Sequence, residues 1–294
     1  MTGLDAPVAF GTAALGAVSG IVGTFAVVRR RSLQGDAVSH AALPGVALAY
    51  LLGGRSEILL VLGAAVTGWV AMMLVSGIVR SSRVPFDAAL AGALSVFFGF
   101  GVVLLLYLKR NISGAATVRP ELYIFGQDPA LMEFADLIPV LGLGGGAVAV
   151  IALFWKEFKI LSFDPDFAAS LGFSTRWLDV LLTALVVLAV VVGLQTVGVV
   201  LMSALIVAPA AGARQWSDRL GSVTLIAGLF GAAAGFLGTA GSAALSVEAT
   251  VPTGPSIVLM ATALALGSIL LAPNRGILWK LFRRTTLVPP GMPL

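Results

Sequence analysis

The feature of this sequence that most constrains its fold is a stretch of 34 residues, 180–213, without a charged side chain. A transmembrane helix needs about 20 apolar residues, so this stretch is too long for one crossing. Gly, Gln and Thr interrupt it at 193–196, and we predict that it divides there. The composition supports a membrane protein, because only 11% of the residues are charged, compared with about a quarter in soluble domains.

Other apolar segments are separated by short polar or charged connections. They lie at residues 8–28, 37–54, 58–79, 88–108, 137–155, 220–247 and 249–274. With the long stretch counted as two helices, they predict one all-α membrane domain over residues 1–294, a bundle of about nine transmembrane helices (about 8–10). Gly16 and Gly20, like Gly231 and Gly235, have the spacing that lets transmembrane helices approach closely.

The distribution of basic residues predicts the orientation of the bundle. If the N-terminus lies outside, fourteen of the eighteen Lys and Arg residues fall in inside loops, as the positive-inside rule requires. The C-terminus, with a basic tail at 275–294, is then cytoplasmic. The net positive charge thus reports orientation and gives no support to nucleic-acid binding. The chain has no cysteine, which excludes disulfides and thiolate metal ligands.

The only histidine, His40, follows Asp36 by four residues, so both side chains face one side of a predicted helix. Imidazole and carboxylate are ligands for divalent metals, but two ligands do not complete a coordination sphere. The others must come from elsewhere in the chain, from a second copy or from water. Alternatively, Asp36 caps the helix and His40 is satisfied within the bundle. Pro44 favours a site, because it cannot donate an N–H to the His40 carbonyl and loosened helices occur at transporter sites.

Three further polar residues are candidates for lining a pathway. Gln195 and Thr196 lie in the long apolar stretch, where they could equally be a polar pair at a helix–helix turn. Glu248 lies between the last two segments and could line an entrance or be a solvated loop acid. The sequence contains neither G-x-x-x-x-G-K-[ST] nor H-E-x-x-H, so it predicts neither that type of ATPase nor that type of protease. We predict that the chain is not an enzyme.

Two segments predicted to lie inside are also predicted to contain short helices of their own. The loop 156–176 contains "FAASLGF", which has the spacing of a short amphipathic helix on the membrane surface. The segment "APAAGARQWSDRL" predicts a short polar and aromatic helix at about 213–220. This helix could dock a cytoplasmic partner, or anchor the chain at headgroup depth through its tryptophan. The docking residues would be Ala213, Arg214, Gln215, Trp216, Asp218 and Arg219.

Four stretches together resemble the permease subunits of bacterial ABC importers for manganese, zinc and chelated iron. In chain order they are "RRSLQGDAVSHAALPGVALAYLL", "FKILSFDPDFAASLGF", "GLQTVGVVLMSALIVAPAAGAR" and "VPTGPSIVL". "IFGQ" at 124–127 resembles the manganese branch. The family often has an acid just before "PTG"; here Thr250 and Val251 stand there, and Glu248 is the nearest acid.

The resemblance implies a fold like that of type II ABC importers, in the bacterial cytoplasmic membrane. It implies that Asp36 and His40 contact a transported metal ion, manganese first and then zinc or iron, with no covalently bound cofactor. The partners it implies are membrane lipid, a second permease copy or a paralogue, and an extracytoplasmic metal-binding protein. A cytoplasmic ATPase subunit, which binds the ATP, would dock on the coupling helix at 213–220.

Two other functions are consistent with the residues. The chain could be a secondary carrier or channel in which Asp36 and His40 relay protons or ions. It could also be a permease for larger metal chelates, such as siderophores, built on a similar bundle.

Overall fold

The computed structural model describes residues 6–53, 56–111, 134–246, 251–273 and 276–277. In these ranges the chain is helical, with no strand. The helices are α1 (Ala6–Val28), α2 (Gln34–Leu51), α3 (Glu57–Ser81), α4 (Phe86–Asn111), α5 (Phe134–Leu153), α6 (Trp155–Phe163), α7 (Pro165–Ser170), α8 (Thr175–Val197), α9 (Val199–Ala213), α10 (Leu220–Leu245) and α11 (Thr253–Leu271).

Six helices in the described part are long and apolar enough to cross a membrane: α1, α3, α4, α8, α10 and α11. A seventh crossing is possible if α5 and α6, which meet at a bend of 74°, form one broken span. The prediction of an all-helical protein with several spans is therefore confirmed, but the predicted number of about nine is not supported. The difference arises because α2 carries polar residues in its first two turns and α9 has only 15 residues.

The long uncharged stretch divides at Gly198, two residues beyond the predicted interval. Gly198 has a φ of 86° and separates α8 from α9. This backbone conformation carries little cost only for glycine, which explains why the helix ends there.

The segments at 156–176 and 208–220 differ in how well the sequence predicted their structure. The short helix predicted from "FAASLGF" corresponds to α7. It begins at Pro165, two residues before the motif, because the Asp164 side chain caps it and accepts a hydrogen bond from the Phe167 N–H (2.9 Å). The helix predicted at 213–220 is wrong: a turn follows α9, and α10 begins at Leu220. Ser217 Oγ accepts from the Arg219 N–H (3.2 Å), and such local bonds compete with helix formation.

Helices α1 and α10 pack with their backbones in contact. A Cβ at Gly16 would collide with the carbonyl of Gly231, and one at Gly235 with the carbonyl of Thr12. The buried hydroxyls of Thr12 and Thr239 lie 2.9 Å apart and form a hydrogen bond between the helices. We call this contact the α1–α10 seam. It has the small residues and the interhelical hydrogen bond that hold helices together in lipid, where the hydrophobic effect does not drive association.

Candidate metal site

Asp36 and His40 lie in the first two turns of α2. His40 Nε2 is 3.5 Å from Asp36 Oδ1, so the two side chains share a face as their spacing predicts. Leu33 occupies the N-cap position and makes no side-chain cap. Asp36 is therefore a first-turn residue and not the N-cap that the alternative interpretation required.

The separation of these two atoms fits a shared metal ion. A direct N–H···O hydrogen bond would hold them at about 2.7–3.2 Å, which is shorter than the observed 3.5 Å. Nitrogen and oxygen ligands lie about 2.0–2.2 Å from zinc, and in a tetrahedral site this places them about 3.4 Å apart. The separation is compatible both with an ion pair between neighbouring turns of one helix and with two ligands of one ion.

The rest of the imidazole is enclosed by apolar surface. The His40 ring meets the Phe98 ring of α4 edge to face, with centroids 4.9 Å apart and an interplanar angle of 82°. His40 Nδ1 is buried and has no hydrogen-bond partner among the described residues. Phe98 therefore fixes one side of the ring without offering a ligand atom, and Nε2 is the nitrogen that faces Asp36.

Within the described ranges, Asp36 and His40 are the two candidate ligands that the structure brings together. No group of three or more His, Cys, Asp or Glu residues in the described ranges could hold a metal ion. The side chains of His40 and Asp36 are 20% and 36% exposed, so the pair is accessible for further ligands. This arrangement leaves coordination sites for water or for a second protein copy.

The contacts between α2 and α4 show how deep the pair lies. His40 is six residues into α2 and Phe98 is twelve residues into α4, which correspond to about 9 Å and about 18 Å of helix. A Cβ on Gly101 would lie 2.9 Å from Pro44, so the contacts continue in the same direction along both helices. Helix α4 has 26 residues, or about 39 Å. His40 thus lies beside the middle of α4, which is long enough to span the membrane, and α2 begins about 9 Å further along the bundle than α4.

Pro44 does not interrupt α2, which continues through it to Leu51. The other predicted pathway residues lie where the structure gives no side-chain position. Gln195 and Thr196 are in the last turn of α8 with side chains outside the described set, and Glu248 lies outside the described residues. Their roles stay predictions.

The predicted docking segment is a turn at the end of α9. The N–H groups of Gln215 and Trp216 donate to the carbonyls of Gly212 and Ala213 at 3.1 and 3.0 Å. The Trp216 ring meets Phe230 of α10 edge to face at 6.5 Å but is 39% exposed. The turn is therefore anchored to the bundle through one side of Trp216 and leaves another side accessible. A small cavity, lined in part by Val28 and Phe163, connects this turn to α1 and α6.

Sequence reasoning missed a cluster of charges at the start of α8. Asp179 Oδ1 accepts hydrogen bonds from Arg29 (2.5 Å) and Arg31 (2.8 Å), and Arg80 lies 3.8 Å from Oδ2. The Arg31 guanidinium also lies over the Phe86 ring, 4.7 Å from its centroid. Burial, and then the charge of Arg29, lower the pKa of Arg31, against the opposing effect of Asp179. Asp179 directly precedes the long uncharged stretch, and an acid in that position needs a charged partner. This position in the sequence could have indicated the cluster.

Comparison with known proteins agrees with this architecture. The sequence matches the ABC 3 transport family over residues 5–272. The zinc transport system membrane protein TroC of Treponema pallidum is 44% identical, and the match covers 94% of this chain and 92% of TroC. The manganese transport system membrane protein MntC of Bacillus subtilis is 41% identical, and the match covers 93% of this chain and 62% of MntC.

A solved structure, PsaBC from Streptococcus pneumoniae in complex with Fab, shows the same fold. The TM-score is 0.78 at 32% identity, and the match covers 94% of each chain. The family match spans most of the sequence, so the predicted resemblance is confirmed. The predictions of a multi-pass protein of the bacterial plasma membrane and of a transporter subunit, not an enzyme, are confirmed with it. This chain belongs to the ABC 3 transport family.

Proposed function

We propose that this protein is the ion-conducting membrane subunit of an ATP-driven importer of divalent metal ions. The observation that carries the proposal is the Asp36–His40 pair, two metal-type ligand atoms 3.5 Å apart on a helix that begins inside the bundle. Ionisable side chains at such depth are costly unless they serve a pathway or a partner. Manganese is the first candidate, and zinc or iron follows. The names of TroC and MntC support zinc and manganese alike.

The charge cluster supports the orientation that we propose for the bundle. Arg29 and Arg31 at the end of α1, Arg80 at the end of α3 and Asp179 at the start of α8 meet at one side of the bundle. The positive-inside rule makes this the cytoplasmic side. This supports an N-terminus outside, and the cytoplasmic C-terminus stays a prediction.

A second copy of the chain completes the site in this proposal. The face of α4 beside the pair exposes Gly92, Ser95 and Gly99, and small residues of this kind let helices approach closely. A partner copy packed there would bring a second Asp36 and His40. Two pairs give four protein ligands, the number typical of a closed zinc site. A paralogue with the same pair would serve equally.

The turn at 214–219 is the proposed contact with the ATPase. Trp216, Asp218 and Arg219 are exposed, and the half-buried Arg214 lines the cavity that reaches α1 and α6. We expect Trp216→Ala to leave a folded permease whose ATPase hydrolyses ATP without transport, because the substitution removes an exposed ring surface and one edge-to-face contact with the bundle. ATP hydrolysis and metal uptake measured together on the same proteoliposomes would check this. Unchanged coupling would remove the docking assignment.

The proposed function is tested by manganese uptake into proteoliposomes that contain the permease and its ATPase. A metal-loaded extracytoplasmic binding protein is added on the side where the permease N-terminus lies. We expect uptake only with ATP inside, and none when a non-hydrolysable ATP analogue replaces it. Uptake by the permease alone would identify a secondary carrier or channel, and uptake of metal only as an organic chelate would identify a chelate permease. Either result would contradict the proposal.

A further inference from the structure

The turn between α1 and α2 has a backbone conformation that is unusual for its sequence. Arg30 has a φ of 56°, and it is the single non-glycine residue with positive φ in the described ranges. The Arg30 N–H donates to the Val27 carbonyl (3.1 Å), and the Arg31 N–H donates to the Ala26 carbonyl (2.8 Å). These two bonds define a Schellman helix ending, whose left-handed position is usually glycine. Because an arginine is disfavoured there, other contacts must hold this turn.

Asp179 supplies those contacts from outside the turn. Its Oδ1 accepts hydrogen bonds from both neighbours of Arg30, namely Arg29 at 2.5 Å and Arg31 at 2.8 Å. The side chains of Arg29 and Asp179 are only 12% and 11% exposed. One carboxylate of α8 thus holds the chain on both sides of the left-handed residue.

The same turn determines where α2 begins. The N–H of Gln34, the first residue of α2, donates to the Arg31 carbonyl at 3.0 Å, and α2 has no side-chain cap of its own. Asp36 lies in that first turn, and His40 lies one turn later. Arg31 also contacts Phe86 at the start of α4, the helix that holds the His40 ring. Arg31 therefore contacts the beginnings of both helices that enclose the pair.

We propose that Asp179 is a positioning residue for the metal pair, an inference that rests on the proposed function of Asp36 and His40. Asp179 does not touch the ion. Through Arg29 and Arg31 it holds the left-handed turn, and the turn sets the position of Asp36 and His40 against α4. A residue with a merely structural role would change the amount of folded protein. A positioning residue changes metal affinity in folded protein, and its loss is compensated by a residue that adopts the turn without cost.

The test is a manganese titration of the complete permease–ATPase complex in detergent, without binding protein, with free Mn²⁺ measured by its EPR signal. We expect Asp179→Asn to weaken binding about tenfold, within the range for residues that orient metal ligands. Adding Arg30→Gly should restore most of the affinity, because glycine adopts positive φ readily. Arg80→Gln is the matched control and should stay within about twofold, since exposed ion pairs contribute little.

Two results would overturn the inference: an Asp179→Asn complex that binds Mn²⁺ like the unmodified protein, or weakened binding that Arg30→Gly does not restore. If Asp179→Asn does not fold, Asp179→Glu with and without Arg30→Gly replaces it, because the longer acid keeps the charge and displaces the turn. We expect Asp179→Glu to bind Mn²⁺ more weakly than the unmodified protein, and Arg30→Gly to restore most of the affinity. Any other order would also contradict the inference. A His40→Ala complex that binds Mn²⁺ normally would instead contradict the proposed function.

Discussion

The α1–α10 seam and the α2–α4 contact both join membrane helices, but their polar side chains differ in whether they have hydrogen-bond partners. In the seam, the Thr12 and Thr239 hydroxyls lie 2.9 Å apart, and each also lies within hydrogen-bond distance of a carbonyl of its own helix, so both hydroxyl protons have acceptors. In the α2–α4 contact, His40 lies 3.5 Å from Asp36, and its Nδ1 has no partner among the described residues. The first contact is satisfied and closed, while the second leaves ligand atoms available. The seam therefore holds the bundle together, and the α2–α4 contact carries the proposed metal pair.

The largest expected effect is a loss of folded protein when the seam is forced apart. Gly231→Val places side-chain atoms where the Gly16 carbonyl lies, and we expect no stable permease in the membrane. Gly146→Val is the matched control, because a Cβ there meets nothing within 4 Å. Size-exclusion chromatography of the detergent extract measures both. A monodisperse Gly231→Val protein at normal yield would show that the seam does not hold the bundle together.

Next in size is a loss of transport without a loss of fold. Asp36→Ala and His40→Ala each remove one ligand from a partly exposed pair, and we expect metal uptake to fall by about 100-fold or more, beyond the effect of outer-shell residues. The yield and the thermal unfolding of the purified complex should change little. Normal uptake in both variants would contradict the assignment of the pair.

A smaller effect is expected at the ring that supports His40. Phe98→Leu keeps an apolar contact and removes an edge-to-face pair worth about 0.5–1.5 kcal/mol, so metal affinity should fall about two- to tenfold. The yield of folded protein should be unchanged. Phe100, on the same helix but 51% exposed, provides the control variant Phe100→Leu. If both variants bind metal as the unmodified protein does, Phe98 has no role in orienting the imidazole.

The smallest effect tests the hydrogen bond of the seam. Thr239→Val removes the bond to Thr12, and interhelical bonds of this kind contribute about 0.6 kcal/mol on average in membrane proteins. We expect a small loss of stability in a reversible unfolding titration, with metal uptake unchanged. A transport defect larger than the stability defect would mean that the seam moves during the cycle.

The sequence predicted the parts of this structure that depend on local spacing. The Asp36–His40 contact follows from their four-residue separation, and the close approach of α1 and α10 follows from glycines four residues apart. The depth of His40 was not predictable, because it depends on how far α2 is displaced relative to α4. From hydropathy alone, α2 and α9 were predicted to be complete spans. Neither is among the six described helices that are long and apolar enough to cross a membrane.

Two other differences have separate origins, one local and one long-range. A turn at 214–219 stands where a helix was predicted, and within it the Ser217 hydroxyl accepts a local hydrogen bond from the Arg219 N–H, which competes with helix formation. Asp179 was overlooked because its partners, Arg29 and Arg31, are about 150 residues away in sequence. Contacts over such separations are set by the packing of the bundle, which a single sequence does not show.

The most direct test of the central claim uses the fact that His40 is the only histidine in the chain. The permease is purified with a histidine-free tag and loaded with Mn²⁺, and electron spin-echo spectra are recorded for protein made with ordinary or ¹⁵N-labelled histidine. The account predicts imidazole nitrogen coupling to the bound Mn²⁺, changed by the label and lost in His40→Ala. A bound Mn²⁺ without imidazole nitrogen coupling would contradict it.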